Sequence, residues 1–547
     1  MPSTPTTKSQ VQAYRFVLRR MESALVRKDP VMLHDPMRSH KRATIVGAII
    51  GVVGLVVFVL IGVLNPAPPV PPTGIVIAQP SGTMYVVSEN PHELIPVFNL
   101  ASARLLLAAA TANQQQAAGG GAGGSAPAVV NPVIVSDSQL ASMPMGRMTG
   151  IQDGPTVLPN PGQKPVDWAV CDQVPRDVNA LNQTGHNTPA TTVLVGQQNI
   201  GANLGVDEAL LVSNDGGKTL YLVYGHSSTV NNPDDSAVKA KIDSTDRAVL
   251  GGLEITDPTQ YRVVSTAVLN AIPTVGEIRN PAANLDTNAP VAPALASSGL
   301  TIGQSFSVQA IGQASQYYIV VPGGKQSVSQ TTAQIARHEN SAGSNDIPQV
   351  TPEAADTVPP VRNGLQVDTS EYPGVVPAVV SADTKAVMCL GWHADYTDAQ
   401  KPLSKTRVTV DTTLELPADS HSPTGQMQTV QIGQGTTAGK VNSFFMNPAI
   451  GGVAIRSASG AKEFGSGPIY VIDPRGVAFS VPNVTTAQVL GVADATGLIP
   501  PAPASIVGLL PLGGQSLDTQ AVQRTFDSMQ VPDNAGQYLT PTAQPGN

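Results

Sequence analysis

From Ala43 to Leu64 the chain reads ATIVGAIIGVVGLVVFVLIGVL, twenty-two residues without a charge. As a helix this run is about 33 Å long, enough to cross a hydrocarbon layer of about 30 Å. It is apolar on every face, so it predicts a membrane span rather than an amphipathic soluble helix. Ahead of it, Val11, Tyr14, Leu18, Met21 and Leu25 recur at spacings of three and four, with Arg15, Arg19 and Arg20 off that stripe. This spacing predicts an amphipathic helix that suits an anionic membrane surface or a cytoplasmic partner. A basic retention signal with incidental helicity is the alternative.

Beyond residue 73 the hydrophobic runs shorten to strand length. Four carry tyrosine: TMYVV (83–87), TLYLVY (219–224), QYYIVV (316–321) and PIYVI (468–472). Each is followed by a helix-start pattern: NLASARLL from Asn99, DSTDRAVL from Asp243, SQTTAQIA from Ser329 and NVTTAQVL from Asn483. The first residue is in each case one whose side chain caps free helix N–H groups. The seventh, Leu105, Val249, Ile335 or Val489, is apolar and expected to face a core. LASMPMG (140–146), LNAIPTVG (269–276) and LLPLGG (509–514) add three similar proline-glycine turns. TRVTVDTTLEL (406–416) alternates like a strand with one buried face.

The pattern predicts a mostly β chain with short helices (α+β), one N-terminal transmembrane helix, and four small strand-helix repeats around a central β-rich domain. The expected order is a cytoplasmic basic helix (1–42), the span (43–64) and a stiff proline-rich spacer (65–73). Repeat 1 (74–150) contains a Gln/Gly-rich insertion at 112–130. A central segment (151–205), repeat 2 (206–280), a linker (281–300) and repeat 3 (301–360) follow. A second central segment (361–450), repeat 4 (451–529) and a flexible tail (530–547) complete the order.

Composition supports turns over bundles. The 547 residues include 51 Gly and 48 Pro, and only 13% are charged, about half the usual share. Charge adds orientation. Residues 1–42 hold nine Lys/Arg against three acids, whereas 43–547 hold 22 bases and 36 acids, giving +6 and −14. Arg38, Lys41 and Arg42 stand immediately before the apolar run. The excess of positive charge on the inner side places 1–42 in the cytoplasm and 65–547 outside. The run exceeds the usual length of a signal-peptide core and reads as a retained anchor. An acidic chain is a poor nucleic-acid binder.

Candidate chemistry is sparse. Cys171 and Cys389 are the only cysteines, both on the expected outer side, and each has a tryptophan three positions away, Trp168 and Trp392. In an oxidising compartment the pair reads as a disulfide with indoles beside it, and two free buried thiols are the alternative. The nearest approach to a phosphate loop is VSNDGGKT (212–219), ending in Lys218 and Thr219, but Val212 stands where the first glycine belongs. Strand-like runs on both sides predict a hairpin turn instead. His92-Glu93 and His338-Glu339 lack a second histidine four positions on, so no zinc-protease helix forms. His393 and Asp395 are candidates for a polar pair at a cleft edge, and Asp234-Asp235 reads as a loop pair. The expectation is no catalytic residue, no cofactor site and no metal site.

Thr7, Gln10, Val11, Tyr14, Arg15, Phe16, Arg19, Arg20, Ala24 and Leu25 form the pattern T–QV–YRF––RR–––AL, continued by Asp35-Pro36, Arg38 and Arg42. With YVV…NLASARLL (85–106), WAVCD (168–172), LNAIP (269–273) and CLGW (389–392), the chain resembles the EccB family of the actinobacterial type VII (ESX) secretion machine. The resemblance implies a single-pass inner-membrane protein whose four periplasmic repeats surround a central domain. It gives Cys171 and Cys389 the family's disulfide. The implied partners are the motor EccC (the ATPase), EccD, EccE and further copies of EccB, exporting small WXG and PE/PPE-type proteins. Family members sometimes carry an ATPase label that the residues here do not support. Two other readings stand beside the scaffold: an envelope enzyme using Lys218 and Thr219 or acting on the cell wall, and a peptidoglycan-binding module without catalysis.

Overall fold

The computed structural model describes residues 7–28, 36–64, 69–117, 129–175, 186–226, 237–340, 346–361, 367–395, 403–432 and 441–525. The tail at 530–547, Asp234-Asp235, residues 118–128 of the expected insertion and residues 65–68 of the spacer lie outside these. The chain divides into two compact units, Met1–Val70 and Pro71–Asn547.

In the first unit, helix Lys8–Arg27 starts where the Thr7 N–H donates to Gln10 Oε1 at 3.0 Å. Its apolar stripe is open: Tyr14, Leu18, Met21 and Leu25 are all exposed. A second helix, Pro36–Leu64, contains the window Arg42–Leu60, with mean hydropathy 2.8 and nothing packed over it. By length and composition it is able to cross a membrane.

The second unit is mostly sheet. A seven-stranded sheet runs in the order Val430–Gln431, Ser443–Met446, Ala190–Val195, Trp168–Gln173, Val387–Asp395, Leu403–Asp411 and Ala202–Asn203. Its two middle strands are antiparallel and set Cys171 opposite Cys389 and Trp168 opposite Trp392. The cysteines are joined as a disulfide across 218 positions, both buried. In the chain-entropy account, closing a loop of that length disfavours the unfolded state by about 5 kcal/mol.

The indoles are not beside the bridge. Side chains alternate across a strand, so a spacing of three puts them on the opposite face. Cys171 and Cys389 pack with Ala169, Leu194, Val387 and Phe445, whereas Trp168 and Trp392 join Val170, Met388 and Leu390 in a larger core. The strand expected at 406–416 begins earlier, at Leu403, and ends at Asp411. Leu414 and Leu416 then turn back over the cysteine face.

Four small sheets accompany this one. Their meanders are Gly74–Gln79, Met84–Glu89 and His92–Pro96; Glu208–Ser213, Leu220–Gly225 and Ala237–Ile242; Ser305–Val308, Gln316–Val321 and Gly324–Val328; and Val453–Ala458, Ile469–Ile472 and Ala478–Val481. Each third strand leads to a helix: Leu100–Ala117, Arg247–Gly252, Gln330–Asn340 and Val484–Val489. Three caps lie where the sequence puts them, with Asn99 accepting from Ser102 N, Ser329 from Thr332 N and Asn483 from Thr486 N. The helix expected to begin at Asp243 begins three residues later. Asp246 accepts from Ala248 N and Val249 N, while Asp243 is occupied by Thr245 in a turn. At the seventh position Leu105, Val249 and Ile335 are fully buried, but Val489 is only partly so and Leu490 takes the core place.

After this helix the chain pairs parallel with the first strand of its own sheet, through Val133–Ser136, Arg262–Val263, a bridge from Gln349 to Ser307, and Pro501–Pro503. A short helix follows, then a proline whose carbonyl accepts from the third strand. The pairs are Leu94 N to Pro144 O, Lys239 N to Pro273 O, Lys325 N to Pro359 O and Ala478 N to Pro511 O, at 2.8–3.1 Å. In two sheets the third-strand residue is a buried lysine holding the end of the short helix. Lys239 Nζ donates to the Leu269 and Ile272 carbonyls, and Lys325 Nζ to the Ala355 carbonyl. A cation at the negative end of a helix is favourable.

The second and third small sheets meet through their helices, where Gly252 lies against Ile335. The first and fourth meet where Arg104 donates to the Leu490 carbonyl at 2.5 Å. The tryptophan face of the large sheet is covered by residues of the second sheet (Leu210, Val212, Val223) and the fourth (Val453, Ile455, Ile472). Buried polar groups fix the first of these contacts. Asp172 accepts from Thr191 Oγ1 at 2.6 Å, Ser265 N at 2.6 Å and Ser265 Oγ at 2.8 Å. Ser265 is the cap of helix Thr266–Ala271, so one carboxylate ties the large sheet to a helix of the second. Burial pushes the Asp172 carboxyl up and pulls Arg262 nearby down to about 10, each partly offset by the other's charge.

Two outcomes follow from this packing. A Cβ at Gly252 would stand 2.5 Å from Ile335 Cα, a backbone atom that cannot swing aside. Gly252→Ala is expected to cost about 1–3 kcal/mol in urea unfolding, while Gly276→Ala, with nothing within 4 Å, leaves the midpoint nearly unchanged. Asp172 has a folded pKa above its unfolded value, so the folded state binds the proton more tightly. Its share of stability is present at low pH and declines as pH rises from about 4 through the raised pKa. Asp172→Asn is expected to remove that decline from unfolding midpoints measured across the acid range, and an unchanged pH slope would contradict the assignment.

Candidate functional site

The phosphate-loop candidate is a hairpin turn. Strands Glu208–Ser213 and Leu220–Gly225 pair antiparallel, with Val212 opposite Tyr221. Between them Asp215 takes the place at the centre of the turn, accepting from Thr219 N at 2.9 Å and from Ser213 Oγ at 2.9 Å. The Thr219 N–H bond holds the Asp215 carboxyl below its usual range. A phosphate cradle needs backbone N–H groups at a helix N-terminus and no competing anion. Here the turn's own carboxylate takes the Thr219 N–H, and Lys218 points to solvent from a strand-to-strand connection.

The histidine pairs are equally ordinary. His92-Glu93 lies on strand His92–Pro96, and His338-Glu339 closes helix Gln330–Asn340, where His338 meets Arg337. No group of three or more His, Cys, Asp or Glu able to hold a metal occurs among the described residues.

His393 does stand at a cleft, but with a different acid. Its Nδ1 is 2.5 Å from Asp167 Oδ1, whereas Asp395 lies 4.0 Å from Lys405 Nζ. The register explains this. His393 is opposite Lys405 on one side, and on the other it is one step beyond the Trp392–Trp168 pair, where Asp167 enters the sheet. Two residues along a strand share a face, so Gly391 and its partner Arg407 continue the row. Arg407 lies across Gly391, where a Cβ would meet Ile200 Cδ1 at 2.7 Å and Arg407 Cγ at 3.2 Å. Its Nη2 donates to the Gln198 carbonyl at 2.7 Å.

These groups line a cavity of about 450 Å³ at the end of the large sheet, bounded on the far side by Gly225 and Ala237 of the second small sheet. Its apolar lining comes from Trp392, Ile200, Leu204 and Val408. Sequence reasoning found His393 but missed Asp167, Lys405 and Arg407, because strand register is not written in local spacing. The signal for Asp172 was present: an acid next to Cys171 falls on the face otherwise filled by Trp168 and Val170.

Chain-wide comparison agrees with this architecture. A family model described as "Type VII secretion system ESX-1, transport TM domain B" (T7SS_ESX1_EccB) matches residues 3–531. The chain is similar to "ESX-1 secretion system ATPase EccB1" of Mycolicibacterium smegmatis (strain MKD8), 28% identical over 537 residues, covering 97% of each. It is similar to "ESX-3 secretion system ATPase EccB3" of Mycobacterium tuberculosis (strain CDC 1551 / Oshkosh), 26% identical over 550 residues, covering 96% of this chain and 91% of the relative. Among solved structures, a chain of "Structure of an intact ESX-5 inner membrane complex, Composite C3 model" shares the fold at a TM-score of 0.62 and 23% identity, covering 100% of this chain and 99% of that one. "Structure of EccB3 dimer from the ESX-3 core complex" shares it at 0.60 and 21%, covering 83% and 100%. With a match that runs through the apolar helix and all five sheets, the chain belongs to the EccB family of type VII secretion proteins.

Proposed function

We propose that this protein is a structural, membrane-anchored subunit of a type VII secretion complex, with its sheet-rich part forming a periplasmic assembly platform. The observation that carries the reading is the family match at residues 3–531, which takes in both the exposed apolar helix and the whole sheet region. The basic residues before the span support a cytoplasmic location for residues 1–42 and a periplasmic one for 65–547. The buried Cys171–Cys389 bridge suits an oxidising compartment. The partners are further copies of the chain and the other core subunits, EccC, EccD and EccE, with EccC supplying hydrolysis for export of WXG and PE/PPE-type proteins. The solved relatives come from an inner membrane complex and a dimer, which supports self-association.

The four small sheets are copies of one repeat about a central domain. Support comes from their common course: three meandering strands, a helix, a parallel return, a short helix, and a proline carbonyl pairing with the third strand. Pro359 supplies in the third copy the turn that the sequence shows plainly in the other three. Such a construction works by geometry, presenting rigid surfaces at fixed separations. The word ATPase belongs to the printed names of the relatives. At Lys218 and Thr219 the turn's geometry favours a hairpin over a nucleotide site.

The cytoplasmic helix is the docking element, because its apolar stripe is exposed along its length. Deleting residues 1–42 is expected to abolish co-purification of the other core subunits in mild detergent while the sheet region stays folded by circular dichroism. Undiminished co-purification of a folded truncation contradicts the assignment.

A further inference from the structure

The cavity at the end of the large sheet has a chemistry that scaffolding does not use. Lys405, Arg407 and His393 approach it from two neighbouring strands and share one face. Asp167 is engaged by His393 at 2.5 Å, and among the described residues Lys405 pairs with Asp395 at the long distance of 4.0 Å. Arg407 has a backbone carbonyl but no carboxylate partner among the described residues. Lys405 and Arg407, two cationic side chains at one concave site, stand out in a region, 43–547, whose net charge is −14. A low-dielectric wall focuses their field on whatever enters.

The rest of the lining also bears on the ligand. The side-chain amides of Gln198 and Asn203 also belong to the lining and can serve hydroxyl groups as donor or acceptor. Ile200 and Leu204 add apolar lining. A volume of about 450 Å³ falls in the range of small-molecule sites. Cations, amides and apolar side chains around one cavity match a molecule with an anionic group, several hydroxyls and a C–H face.

We propose that this cavity binds an oxyanion-bearing saccharide, a sugar acid or a sugar phosphate, with Lys405 and Arg407 holding the anion. The site lies outside the contacts that the scaffold reading requires, so it can fail while that reading stands. It is tested on the full chain in detergent by calorimetric titration with glucuronate, glucose 1-phosphate and glucose. The expected result is binding of at least one anionic sugar, weakened by added salt, with glucose at least about tenfold weaker, as losing a charge-assisted hydrogen bond implies. Lys405→Gln and, separately, Arg407→Gln each weaken the anionic sugar about tenfold or more, with the melting temperature unchanged in at least the Lys405 variant. The preferred anion then tells carboxylate from phosphate. No binding of either anionic sugar, equal binding of glucose, or affinity retained in a folded Lys405→Gln protein overturns the proposal.

Discussion

Two strands that begin more than two hundred residues apart, Trp168–Gln173 and Val387–Asp395, lie side by side at the middle of the large sheet, and the rest of the outer region is arranged by that pairing. One face of the pair carries the disulfide and the other carries the indoles. Between them in sequence lie the second and third small sheets, while the first and fourth flank them. Loss of this register would move the side chains of one strand to the wrong face, because a single-residue slip inverts a strand. The bridge acts on the same point from the unfolded side by closing a loop of 218 positions.

Local chemistry made much of this readable. The capping residues at Asn99, Ser329 and Asn483 and the tyrosine-bearing strands are short-range signals, and they appear where spacing alone puts them. At helix Arg247–Gly252 spacing chose wrongly. Asp243 and Asp246 are equivalent in type, and a turn claimed by Thr245 settles the choice. Val489 and Leu490 differ by one position on a helix too short for its face to be fixed by pattern alone.

Long-range geometry was the harder part. The spacing between each cysteine and its tryptophan was visible, yet the inference that the indoles surround the bridge ignored the period of a strand. His393 was visible as a polar residue near a cysteine, but Asp167, 226 positions away, is joined to it only by register. The parallel pairing of the residues after Pro144, Pro273, Pro359 and Pro511 left no motif beyond the prolines and, in three of them, a following glycine. In the third case Pro359-Pro360 lacks the glycine that marks the other turns. The Asp172 contact with Ser265 was readable in part, as a charge on an apolar face and a cap ahead of a short helix.

The charge asymmetry about residues 43–64 is the ground for the proposed orientation, and protease accessibility in intact spheroplasts measures it directly. With trypsin added outside, an antibody to residues 441–525 is expected to lose its signal, while a tag at the N-terminus survives on a small membrane-bound fragment. A sheet region that stays protected until the membrane is dissolved, and is then cleaved, would contradict it.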